Sequence, residues 1–193
     1  MGRHRPNPDS AAGERYPEQS WLDPRVAVAP SSTEGRGLFA TAPIAEGEVV
    51  MVLCGRVVTD EELQALGLVK YSSLAIGEHL NLLIADDSPV TFGNHSCDAN
   101  LWMADAVTLV ARRPIGPGEE ITIDYALHTA GLPWRMVSHC GSPACRGVVT
   151  NDDWKRPDVQ ARYAGHFSPF LNARIAALRQ QSGTNSTEPS ADG

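Results

Sequence analysis

The chain has 193 residues, enough for one sizeable core and a small appendage. Hydrophobic residues make up 42% and charged residues 20%, an ordinary balance for a globular protein. Its 16 Lys and Arg against 23 Asp and Glu give a formal charge of -7, with the basic residues dispersed. That pattern argues against nucleic acid as a partner and favours a cationic one, such as a lysine-rich peptide. No stretch reaches the length of a membrane span, and the first 20 residues lack the apolar core of a signal peptide, so no membrane partner and a cytoplasmic location are expected. Cys54, Cys97, Cys140 and Cys145 are spaced too unevenly for a disulfide-stapled scaffold; reduced, metal-bound or buried thiols are the expectation.

In chain order, residues 1–20 are rich in Pro, Arg, Glu and Ser and are read as a disordered or loosely attached arm. Apolar runs of strand length, with β-branched residues, follow at 26–29, 49–53, 80–85, 107–111 and 121–123. Thr59 with Glu62 has the form of a capping box, which predicts a helix with Leu63 and Leu66 on its buried face. Pro114-Ile115-Gly116-Pro117-Gly118 forces a turn between two strands. A helical segment starts near Pro157, with Tyr163, Phe167, Phe170, Leu171, Ile175 and Leu178 as its apolar stripe. Pro169 breaks or kinks it near Ser168. Residues 181–193 form a second polar, flexible tail.

Two segments between the strands carry unusual chemistry. Gly35 and Gly37 leave backbone groups open to close approach, although a tight turn explains them as well and no dinucleotide fingerprint follows. Asn94-His95-Ser96-Cys97-Asp98-Ala99-Asn100 packs hydrogen-bonding side chains between apolar runs, so it faces solvent, binds a ligand or forms an internal network. A nucleophilic Cys-His-Asp set is disfavoured, because neighbours in sequence do not make a triad.

The stretches GRGLFA at 35–40, NHSCDAN at 94–100 and GEEITIDY at 118–125 together resemble the SET-domain family of lysine methyltransferases. CGSPACRG at 140–147 resembles the post-SET cysteine motif of that family. The resemblance covers about residues 26–149. It implies a mostly β, SET-type fold of short curved sheets with a knot-like crossing at 94–97, small helices and a C-terminal helical segment. On this reading residues 21–137 form the catalytic domain, 138–154 a post-SET-like segment and 155–180 an accessory helical segment.

The function implied is transfer of methyl groups from S-adenosylmethionine to the side-chain amine of lysine in a protein or basic peptide. A non-catalytic SET-like peptide-binding module, or a methyltransferase for a small-molecule amine, stands as the alternative. The resemblance assigns Gly35, Arg36, Gly37, Asn94 and His95 to the cofactor and Tyr125 to catalysis. Tyr125 orients the lysine nitrogen and is not required as a base, since free tyrosine titrates near pH 10. Leu127 stands where the family often has a Phe or Tyr that influences how many methyl groups are added, which leans away from strict monomethylation. Thr91 replaces a basic residue common in the family. Cys97, Cys140 and Cys145 match three thiolates of the family's four-cysteine zinc site, but the fourth position is Ser138, a poor zinc ligand. Either His139 completes the set around zinc, or three reduced thiols pack the same corner.

Overall fold

β-branched and aliphatic runs separated by Gly and Pro fold into a mostly β structure. The computed structural model describes residues 16–17, 19–67, 73–85 and 87–184. These begin with β1 (Trp21–Leu22), β2 (Val26–Pro30), β3 (Arg36–Ala40), β4 (Val49–Val52) and β5 (Gly55–Thr59), followed by helix α1 (Asp60–Ala65). Next come β6 (Ser73–Gly77), β7 (Leu80–Ile84), β8 (Asn94–His95), β9 (Leu101–Met103), β10 (Thr108–Ala111) and β11 (Glu120–Ile123). A ribbon of β12 (Arg135–Val137) and β13 (Val148–Thr150) precedes the helices α2 (Pro157–Arg162) and α3 (Pro169–Thr184). The arm expected over 1–20 and the tail over 181–193 lie for the most part outside the described residues. No helix among the described residues is long and apolar enough to cross a membrane.

The main curved sheet runs β1-β4-β10-β9-β11-β3-β2, and β8 lies against β11. Most neighbours are antiparallel, but β8 and β9 both run parallel to β11. The register sets Asn94 beside Thr122 and His95 beside Ile123. This parallel pairing brings the 94–97 segment alongside the end of β11, from which Tyr125 emerges. A second sheet, β5-β7-β6, packs across the same core. That core joins Leu38, Met51, Leu82, Leu109 and Ile121 to Trp154, Tyr163, Leu171 and Ile175 of the C-terminal region. Each such aliphatic side chain contributes roughly 1.5–3 kcal/mol by leaving water.

The capping box is present: Thr59 Oγ1 accepts from the Glu62 N–H and Glu62 Oε2 accepts from the Thr59 N–H. Leu63 is buried, but Leu66 is 47% exposed, contrary to its expected place on the buried face. The helix stops at Ala65, so Leu66 caps its C-terminus instead of adding a turn to the apolar stripe. Pro169 breaks the C-terminal segment cleanly. It opens α3, while the Leu171 N–H donates to Ser168 Oγ at 3.4 Å. Leu178, at the far end of the stripe, is 38% exposed.

The C-terminal helices also fix the polar segment. Tyr163 is fully buried at the end of α2, where its hydroxyl accepts from the Ala99 N–H at 3.1 Å and donates to the Cys97 carbonyl at 3.4 Å. Arg162 donates to the same carbonyl. Tyr163→Phe keeps the ring but leaves a buried N–H unmatched. It should cost about 1–3 kcal/mol of stability, read as a lower urea midpoint with an unchanged slope.

Candidate active site

Two cavities meet at Tyr125. The first, of about 210 Å³, is lined by Thr33 to Arg36, Thr91, Phe92, Asn94, His95 and Tyr125, and by Met136 to His139. The second is a narrow channel of about 40 Å³, whose wall includes Leu63, Tyr125, His128, Leu132 and Trp134. Tyr125 is the residue that both share. Its hydroxyl donates to the Gly93 carbonyl at 3.0 Å, which fixes the oxygen while leaving it able to accept further bonds.

The wall of the larger cavity is organised by one carboxylate. Glu120, at the start of β11, accepts from Ser31 Oγ at 2.8 Å, Thr33 Oγ1 at 3.3 Å and Asn94 Nδ2 at 2.8 Å. Asn94 Nδ2 also donates to the Glu34 and Arg36 carbonyls, each at 3.1 Å. The Asn94 amide nitrogen is therefore committed to the protein, and its Oδ1 is the atom available to a ligand. Gly35 has φ 44° at the turn between β2 and β3 and lines the cavity, so the turn and the close approach expected there coincide. Gly37 works differently. A Cβ there would sit 2.2 Å from Glu120 Oε1 and 3.1 Å from Asn94 Nδ2, so this glycine makes room for the carboxylate that braces the wall. Arg36 lies over the Phe92 ring, 4.7 Å from its centroid.

His95 supports Tyr125 from behind. Burial lowers its pKa to about 4, so the imidazole is neutral at physiological pH. Its Nδ1 accepts from the Tyr125 N–H at 3.3 Å, and its Nε2 lies 3.2 Å from Cys97 Sγ. Asp124, fully buried, caps the 3-10 turn Tyr125–Leu127 by accepting from the Ala126 N–H. Arg146 locks that carboxylate with two bonds of 2.7 Å and reaches Asp153 with a third of 2.7 Å. The Arg146 side chain is itself buried.

The three thiols come together. The Sγ atoms of Cys97, Cys140 and Cys145 all lie within 4.8 Å of one another. Ser138 Oγ is 3.9 Å from Cys97 Sγ, so the serine stands beside the cluster where the family's fourth cysteine is expected. His139 is not part of that group among the described residues; it lines the larger cavity. The Arg146 N–H donates to Cys97 Sγ at 3.3 Å and ties the cluster to the ion network.

Residues 35–126 match the model of the SET domain. This chain belongs to the SET-domain family. Over 186 residues it is 30% identical to the Histone-lysine N-methyltransferase ash1 of Drosophila melanogaster, covering 84% of this chain and 8% of that protein. The Histone H3-lysine(4) N-trimethyltransferase ATX1 of Arabidopsis thaliana is 27% identical over 156 residues, 72% of this chain and 14% of that protein. The chain thus spans only a small part of the curated relatives it matches. Among solved structures, the methyltransferase domain of human Histone-lysine N-methyltransferase SETMAR superposes with a TM-score of 0.55 at 24% identity. That overlap covers 65% of this chain and 58% of the other and shows a shared fold. The cysteine cluster of this SET-domain chain resembles a post-SET zinc motif with one corner changed.

Glu120, Arg146 and His128 carry parts of the site that the sequence did not assign. Glu120 and Arg146 meet partners more than 20 residues away, and nothing local announces those contacts. His128 had a signal: it lies three positions after Tyr125, and a 3-10 turn sets i and i+3 on one side.

Arg146→Met would leave Asp124 and Asp153 buried without their cation. A loss of about 3–5 kcal/mol is expected, measured by chemical denaturation. Arg146→Lys should recover only part of it, because an ammonium cannot bridge two carboxylates as a guanidinium fork does.

Proposed function

We propose that this SET-domain chain transfers methyl groups from S-adenosylmethionine to the side-chain amine of lysine in a protein substrate. The position of Tyr125 where the cavity carrying Asn94 and His95 meets the smaller channel is the observation that carries this reading. The donor set of the larger cavity fits the cofactor: the Asn94 Oδ1 acceptor suits an ammonium group, and the backbone around Gly35 and Arg36 is open beside it. When bound, S-adenosylmethionine supplies a methyl group already activated on a sulfonium centre. The chain's residues then have to hold the amine in line, keep it neutral and exclude water.

Leu63, Leu132 and Trp134 line the channel with apolar surface, which disfavours an ammonium and favours the free amine. Tyr125, held by Gly93 at its hydroxyl and by His95 at its N–H, offers its oxygen to the amine as a fixed acceptor. The charge of -7 suits a lysine-rich protein or peptide. We extend the reading to a protein working in the cytoplasm without nucleic acid as a partner. Cys97, Cys140 and Cys145 are proposed to hold zinc with the Ser138 hydroxyl beside them. The metal would brace the 138–147 segment and take no part in the chemistry.

The test is mass spectrometry of labelled S-adenosylmethionine incubated with the protein and lysine-bearing proteins of the source cell. Label on a lysine side chain is the expected result. Tyr125→Phe should still bind the cofactor by calorimetry but lose transfer by about 10²-fold or more, as aligned reactions respond to small displacements. Normal transfer by the folded variant would remove Tyr125 from catalysis. Cofactor binding with no transfer to any lysine would favour a peptide-binding module.

For zinc, elemental analysis should give close to one ion per chain. Ser138→Cys should hold it against a chelator that strips the natural protein, because a fourth thiolate closes the site. Metal-free protein of undiminished thermal stability would leave three packed thiols as the description.

A further inference from the structure

The channel contains a second polar ring besides Tyr125. The 3-10 turn Tyr125–Leu127 carries the chain round so that His128 lines the channel, while Leu127 is fully buried in the core. The His128 and Tyr125 ring centroids are 5.9 Å apart and tilted by 52°. His128 is 8% exposed, and its backbone is pinned on both sides: its N–H donates to the Tyr125 carbonyl, and its carbonyl accepts from the Ala75 N–H of β6 at 2.9 Å.

The imidazole has one committed edge. Nδ1 lies 3.5 Å from Thr129 Oγ1. Among the described residues Nε2 has no hydrogen-bond partner, and none of their buried side-chain nitrogen or oxygen atoms lacks one, so Nε2 faces the channel that His128 lines. Burial lowers the His128 pKa to about 4 against the opposing pull of Asp124, with His95 adding a small push in the same direction, so the ring is neutral and has one acceptor nitrogen. In the tautomer with Nδ1–H turned to Thr129, the one the proposal below requires, that acceptor is Nε2.

We propose that His128 is a specificity-determining residue, a second acceptor that with Tyr125 holds both N–H bonds of an unmethylated lysine amine. The proposal rests on the lysine-methyltransferase reading above. A neutral primary amine has two N–H bonds and one lone pair. With the N–H bonds given to Tyr125 Oη and His128 Nε2, the lone pair is the part left to face the methyl donor. In transfer that lone pair forms the N–C bond, while the methyl–sulfur bond breaks and its electron pair stays on sulfur. The methylammonium product then gives a proton to water. A monomethyl amine returns with one N–H, so either its lone pair is misdirected or its methyl group presses on a buried acceptor that goes unpaired. The chain therefore selects unmethylated lysine and accumulates the monomethyl product. This reverses the leaning drawn from Leu127, because the polar group in the channel belongs to the next residue.

Two basic peptides, identical except for lysine or monomethyl-lysine at the centre, provide the probe. Their sequence is that of the site labelled in the transfer assay or, where none is labelled, of the tightest binder in a lysine-centred library. Equilibrium binding with S-adenosylhomocysteine present should favour the lysine peptide by roughly tenfold, the effect of one buried acceptor left unmatched. His128→Phe, which keeps a ring but removes the acceptor, should bring the preference below about twofold and shift turnover products towards dimethyl-lysine. His128→Gln, which restores an acceptor oxygen, should recover most of the preference. Equal binding of the two peptides by the natural protein would overturn the proposal, as would a preference that survives in His128→Phe. If that variant does not fold, the natural protein and His128→Gln still decide the matter. A preference that depends on His128 without any methyl transfer would support the channel assignment and sink the enzymatic reading.

Discussion

Arg146 is the side chain on which the site's geometry depends. Its guanidinium sits between two buried carboxylates, Asp124 and Asp153, with a 2.7 Å bond to one and two of the same length to the other. Bringing three charges into a core is expensive, and the cost is offset only where geometry and further hydrogen bonds are good. Both conditions hold: Asp124 also accepts from the Ala126 N–H, and Asp153 from Thr150 Oγ1. An apolar trio of similar volume could match this network in stability, so its value lies in what it orients. Asp124 starts the turn that carries Tyr125, and the Arg146 N–H reaches Cys97 Sγ. The segment 138–147 and the tyrosine are thus parts of one polar unit.

His95 closes that unit into a ring. It accepts from the Tyr125 N–H through one nitrogen and faces Cys97 Sγ through the other. The cysteine cluster therefore reaches Tyr125 by two routes, through His95 and through Arg146 and Asp124. A disturbance at Cys97 should be felt at the tyrosine backbone before it is felt in the channel. For a reaction governed by alignment this matters, since displacements of an ångström outweigh modest changes in binding.

The sequence was most legible where the cause is local. The capping box at Thr59 and Glu62, the break at Pro169 and the strand-length runs are all decided within a few residues, and they appear where expected. Three polar motifs, read as a set, pointed to the SET domain. Less legible were positions set by a partner far along the chain. Glu120 gains its role only when Ser31, Thr33 and Asn94 converge on it, and Gly37 has its role because of Glu120. Leu127 and His128 show a third kind of difficulty. Two-residue alternation continues along a strand, but the chain leaves β11 at Ile123 and enters a 3-10 turn, so the period changes from two to three. The residue facing the channel moves by one position.

That arrangement also explains how a serine can stand at the corner of a cysteine cluster. In a segment ordered by metal alone, exchanging a thiolate for a neutral hydroxyl would remove most of what holds the chain. Here the segment has other anchors. β12 pairs with β13 across it, the Ser138 N–H donates to the Gly147 carbonyl at 2.8 Å, and Arg146 fastens its far end to Asp124 and Asp153. Val149 and Trp154 are buried immediately beyond it. The backbone is held at both ends, and the three sulfur atoms lie within 4.8 Å of one another. With these anchors sharing the load, weaker coordination at one position is the exchange such a segment can best tolerate.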